Sequence, residues 1–177
     1  MRLSAYIRRC FEEGTQISRF NVTWGALLAA PGHLFFYVLL KYAFHMPYEN
    51  FFLRFSASLL ALFDLVLVRM ESPAAKRVFP YYWHFALIFI LPFLFTLFLL
   101  KNDFHELWLY WEIFMVFVLI AFVPNWLMLL IDLLLGMLGG IAFFLLTAPD
   151  RTLHPDFDIP AYLTVLSFAI VAGYLFS

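Results

Sequence analysis

Six long apolar stretches, parted only by brief polar or proline-bearing joints, constrain this chain more than any motif in it. In order they are Trp24–Phe44, Phe51–Val68, Phe79–Leu100, Leu107–Val123, Trp126–Thr147 and Pro160–Phe176. A helix needs about 20 apolar residues to cross a bilayer, so the pattern predicts six crossings. The joints carry helix breakers: Pro47, Ser72-Pro73, Asn102-Asp103, Pro124-Asn125, and Pro149 with Pro155. The fourth and fifth stretches meet almost without a loop, yet together they are too long for one crossing. Hydrophobic residues make up 65% of the chain and charged ones 13%. A soluble domain holds about 45–50% and about 25%, so too little polar surface is left here to cover a water-soluble globule. The expected fold is all-α: a polytopic six-helix membrane bundle over residues 23–177, preceded by a cytoplasmic amphipathic segment over residues 1–22.

Charge sets the expected orientation. Arg2, Arg8, Arg9, Arg19, Arg69, Lys76 and Arg77 fall on one side of the predicted membrane, and Lys41, Arg54, Lys101 and Arg151 on the other. The richer side faces the cytoplasm, which places both termini there. The N-terminal segment has no apolar core of the signal-peptide kind. Leu3, Tyr6, Ile7 and Phe11 recur at helical intervals, as in a short helix on the membrane surface with its arginines toward headgroups. A net charge of −1 without a basic run argues against nucleic acid as a partner. A single cysteine, Cys10, rules out a disulfide within the chain and a cysteine-based metal site. The last stretch ends with the sequence at Ser177, and the expectation is that a cytoplasmic part followed it.

No catalytic signature is present, and neither a metal nor a cofactor is expected. The five histidines, His33, His45, His84, His105 and His154, each lie in a different segment. Ionisable residues inside crossings call for a role, because they are costly there. His33, Tyr37 and Lys41 form one stripe in the first stretch; Arg54, Ala57, Ser58, Ala61 and Asp64 form another in the second. The fourth carries Trp108, Trp111, Glu112 and Met115. The fifth carries Asp132 with Gly136, Gly139 and Gly140, glycines that suit close helix packing within the chain or between copies. Asp64 and Asp132 have a structural reading as well, paired with bundle partners near the cytoplasmic face. Polar tips amid abundant Phe and Trp suit an amphiphile with a small polar head. Pro92 removes the bond to the Ile88 carbonyl and predicts a kink.

Pro47-Tyr48-Glu49-Asn50 followed by Arg54 resembles a segment of the CqsS/LqsS-type quorum-sensing histidine kinases. Leu91-Pro92-Phe93, Asn102-Asp103 and Trp108 are similar to the third and fourth spans of that family with their joining loop. Most of the chain aligns in span order, most like the LqsS branch of Legionella. The resemblance implies a six-span receptor domain in a bacterial inner membrane. It would detect a long-chain α-hydroxyketone autoinducer and control an attached cytoplasmic kinase of a two-component system. It also implies a homodimer formed through the full-length kinase and a cytoplasmic response regulator as partner. The phosphoacceptor and ATP-binding parts are absent, so this chain would not itself be an enzyme.

By that resemblance Trp108 and Trp111 select the head group, and Leu163, Ser167 and Ile170 in the sixth stretch sense the tail. A small residue stands at the position of Trp111 in the best-known relative, a departure that bears on head-group choice. Indole N–H donates to a carbonyl and a carboxylate accepts from a hydroxyl, which adds Glu112, with His33 and Tyr37 as facing partners. Arg54, Glu49 and Pro92 have expected structural or gating roles. Arg54 and Glu49 are expected near water at the outer membrane face, with Asn50 capping the second helix. Two other classes fit a small six-span chain: a substrate-binding membrane subunit of a small-molecule or vitamin importer, and a ligand-free membrane scaffold.

Overall fold

The computed structural model describes residues 19–148 together with Ala5, Tyr6, Arg9, Cys10, Glu13, Ser167 and Val171. Within these the chain is helical, with no strand. Helix α1 (Arg19–Val38) runs into a π-helical turn, Leu39–Ala43. After the loop at residues 44–50 come α2 (Phe51–Arg69) and α3 (Pro73–Ile88). A second π-helical turn, Phe89–Phe93, joins α3 to α4 (Leu94–Lys101), and α5 (Glu106–Phe122) and α6 (Trp126–Thr147) follow.

Local chemistry sets the helix starts. Asn50, Ser72 and Asn125 each accept, through the side chain, from backbone N–H groups of the first turn they precede, removing donors the helix itself leaves unpaired. Pro73 sits just inside α3, where a missing N–H costs nothing. Val123 turns extended ahead of Pro124 and ends α5.

Among the described residues, four continuous helical segments are long and apolar enough to cross a membrane: Arg19–Ala43, Phe51–Arg69, Pro73–Lys101 and Trp126–Thr147. They coincide with the first, second, third and fifth predicted spans, the first and third beginning several residues earlier than expected. Helix α5 has 17 residues, a rise of about 25 Å, and corresponds to the fourth. The sixth predicted span lies outside the described residues, apart from Ser167 and Val171. Large apolar side chains such as Leu28, Phe52 and Leu146 point outward, as lipid contact requires and as a monomeric soluble protein avoids.

Small residues set the helix contacts. Ala26 and Ala30 of α1 and Ala57 and Ala61 of α2 are buried where these helices pack along each other. The Ser58 hydroxyl donates to the Ala30 carbonyl at 2.6 Å. At Pro92 a π-helical turn, Phe89–Phe93, takes up the missing bond and keeps α3 and α4 in one run. Helix α6 lies against that turn. A Cβ on Gly136 would collide with Pro92 and come within 2.9 Å of the Phe93 nitrogen; one on Gly140 would lie 2.8 Å from the Phe93 carbonyl oxygen. These glycines thus serve packing within the chain.

At the end formed by residues 70–72 and 123–125, the inner end on the charge count, Cys10 is buried beside Val22 and Val68. Asn125 Nδ2 donates to Glu13 Oε2 at 3.1 Å. Through Cys10 and Glu13, therefore, the N-terminal segment touches the bundle, where the sequence suggested headgroup contact alone.

Candidate functional site

Helix α1 leans on α2 while α5 packs mainly against α4, so α1 and α5 stand apart. Side chains bridge the gap, with the Phe36 and Trp111 rings edge-on at 5.0 Å between centroids. Beside them lies a cavity of about 390 Å³ walled by α1, α2, α3 with the π-helical turn that follows it, the start of α4, and α5, within the size range of small-molecule sites. Its walls are largely apolar. Small residues of α1, namely Gly25, Ala26, Ala29 and Gly32, leave the room, and Leu87, Ile90, Phe95 and Met115 face them.

The pole opposite the inner end, outer on the charge count, gathers His33, Arg54, Trp108 and Trp111. Arg54 and Glu49 form a two-point ion pair, 2.8 Å from Nη2 to Oε1 and 3.2 Å from Nε to Oε2. Both side chains are buried, at 3% and 0% exposure. This corrects the expectation of a pair near water. Burial pushes the Glu49 carboxyl up from its ordinary value, and the Arg54 guanidinium beside it draws it part of the way back. The guanidinium carbon also lies 4.5 Å from the Phe98 ring centre and 5.4 Å from that of Trp108. Arg54 Nη1 approaches His33 Nδ1 at 3.5 Å. A guanidinium only donates, so Nδ1 is the acceptor and the ring proton belongs on Nε2.

The loop over this pole is fixed by a residue that sequence reading took as a helix breaker and as part of the family resemblance, without a structural role. Asn102 accepts from the Tyr48 N–H at 2.8 Å and donates to the Tyr48 carbonyl at 3.0 Å and the Phe98 carbonyl at 2.8 Å. Asp103 and Phe104 then take φ near 56° and 57°, a tight left-handed turn from α4 into α5.

Among the candidates taken from sequence, the structure brings together His33, Trp108, Trp111 and Arg54. Trp108 is 1% exposed, and neither its indole N–H nor that of Trp111 has a partner among the described residues. Glu112 does not join them. It turns away from the cavity and accepts from the Thr96 hydroxyl of α4 at 2.7 Å. Tyr37 also stands outside, packed edge-on against Tyr42 and Phe51. Pro92 lies on the α6 side of its turn. Ser167 is helical and exposed, while Leu163 and Ile170 lie outside the described residues. Asp132 has a structural partner, His84, whose Nδ1 lies 2.6 Å from Oδ2.

Sequence reading missed Phe36, Trp83 and the small residues of α1 as cavity walls. The alternation of Gly25, Ala26, Ala29 and Gly32 along one face was the available signal.

No protein-family model matches the chain, and no solved structure matches it significantly. Among curated proteins it is similar to the CAI-1 autoinducer sensor kinase/phosphatase CqsS of Vibrio cholerae, 34% identical over 88 residues. The matched part is 49% of this chain and only 12% of that protein, so the chain spans a small fraction of its relative. The similarity reaches a CqsS-like sensor and carries nothing specific to the LqsS branch. Together with the apolar helices, it describes a multi-helix membrane domain similar to part of a sensor kinase.

Proposed function

We propose that this chain is the membrane receptor domain of a sensor histidine kinase, and that it binds a long-chain α-hydroxyketone in the cavity between α1, α2, α3 and α5. The observation that carries this reading is the pairing of an apolar cavity with two indole N–H groups at one pole that have no partner among the described residues. Buried donors without partners are expensive, and a ligand carbonyl would satisfy them. The tail would lie among the apolar walls, where each buried CH₂ adds about 0.8 kcal/mol. The relative's autoinducer-sensing role supports the same reading.

In this proposal the bundle has six crossings in a bacterial inner membrane, with both termini cytoplasmic. The kinase part follows the bundle and passes phosphate to a response regulator, and dimerisation resides in that part. Gly136 and Gly140 are already engaged within the chain and leave little support for a dimer through α6.

The test is a binding titration on the purified chain in lipid nanodiscs, followed by tryptophan fluorescence. A long-chain α-hydroxyketone should bind saturably and more tightly than the tail-matched ketone without the hydroxyl. Absence of saturable binding, or equal affinity for both, overturns the proposal.

A further inference from the structure

The cavity has a second polar pole. Asp64 lies ten residues beyond Arg54 on α2, a rise of about 15 Å toward the inner end. It is 3% exposed, lines the cavity, and its Oδ1 has no partner among the described residues. The neighbouring Tyr82 does not serve it, because that hydroxyl donates to the Leu60 carbonyl at 2.8 Å. Trp83 on α3 also lines the cavity; it is 4% exposed, and its indole N–H is likewise without a partner among the described residues. The Phe122 ring lies 5.8 Å from that of Trp83. It presses so close to α1 that a Cβ on Gly25 would meet it at 2.7 Å. Aromatic packing thus flanks this end of the cavity, whose lining includes a carboxyl and an indole N–H.

We infer that Asp64 and Trp83 form a second polar subsite, which takes a hydroxyl at the far end of a long-chain amphiphile. The inference deepens the preceding proposal and rests on its reading of the cavity as an amphiphile site. A hydroxyl is the small group that serves both residues: it donates to the carboxyl and accepts from the N–H. A terminal amine would serve only the carboxyl. A plain methyl end would leave both groups buried and unpaired, at a cost for each. The ligand class is therefore a chain with hydrogen-bonding groups at both ends, about 15 Å apart.

Dodecanol and dodecanediol are probes that isolate the inner pole. They are titrated into the full chain in lipid nanodiscs at matched lipid-phase concentrations, with tryptophan fluorescence as readout. Wild type should bind the diol about tenfold more tightly than the mono-alcohol. Asp64→Leu and Trp83→Phe should each remove most of that preference. Trp83→Phe keeps a ring in place and carries the test alone if Asp64→Leu does not fold. Equal binding of the two alcohols by wild type overturns the subsite, as does a preference that survives in the variants. If dodecanol binds without any preference for the diol, the subsite alone fails and the cavity reading stands. If neither alcohol binds, both fall.

Discussion

Arg54 and Glu49 meet at two points inside the protein, although only five residues of chain separate them and the loop between them begins the second helix. Removing one member of a buried ion pair strands the other, which costs about 3–5 kcal/mol. Arg54→Ala is therefore expected to destabilise the domain by that amount, and Arg54→Lys by less, since a lysine keeps the charge but not the second contact. Thermal denaturation in a fixed detergent measures both. A loss under about 1 kcal/mol for Arg54→Ala would mean that the pair behaves as a water-exposed one.

Asn102 holds Tyr48 by both its N–H and its carbonyl. Truncation to alanine removes these bonds and leaves part-buried backbone groups unpaired, a penalty of about 1–3 kcal/mol for each group that water does not reach. Asn102→Ala should lower stability by at least about 2 kcal/mol and open residues 44–50 to protease. Asn102→Asp keeps the acceptor for the Tyr48 N–H but sets a buried carboxylate oxygen against the Tyr48 and Phe98 carbonyls, so it should cost at least as much as the alanine. Cleavage rates in the loop that match wild type in both variants would count against the clasp.

Two helical glycines should respond in opposite ways. A Cβ on Gly136 collides with Pro92, whereas one on Gly32 meets nothing within 4 Å among the described residues. Gly136→Ala should cost about 1–3 kcal/mol through overpacking. Gly32→Ala should be neutral, or stabilise by up to about 1 kcal/mol through reduced chain entropy. Paired melting curves decide it, and a Gly136→Ala variant as stable as wild type would remove the close approach of α6 to the π-helical turn.

The contrast between these glycines marks the limit of what sequence alone conveys. The helices were legible because apolar length and local breakers are properties of neighbouring residues. Asn50, Ser72 and Asn125 cap the turns they precede for the same reason. Facing direction was legible where polarity was one-sided, as in the Arg54–Asp64 stripe of α2. Helix α5 is apolar nearly all round, so its periodicity does not say which side meets α1 and which meets α4. That is why Glu112 was grouped with Trp108 four residues away, although its carboxylate reaches Thr96 on α4. The burial of Arg54 was hidden for a related reason: it depends on Phe98 and Trp108, which arrive from helices far away in sequence.

The proposed head-group site separates Trp108 from Glu112. Trp108 lines the cavity with an unpartnered N–H, whereas Glu112 is held by the Thr96 hydroxyl on the far side of α5. Trp108→Phe keeps the ring and removes only the donor, so affinity for a long-chain α-hydroxyketone should fall about three- to tenfold, the worth of one hydrogen bond. The loss should shrink for a tail-matched hydrocarbon chain that lacks the carbonyl, because that probe has nothing for the indole to donate to. Glu112→Gln keeps an acceptor for Thr96 and touches no ligand, so it should leave both affinities within about twofold of wild type, well under the 1.4 kcal/mol that corresponds to a factor of ten. Titration of the three proteins with both probes gives the answer. A Glu112→Gln variant that loses affinity while Trp108→Phe keeps it would move the head-group site to the α4 side of α5 and out of the cavity.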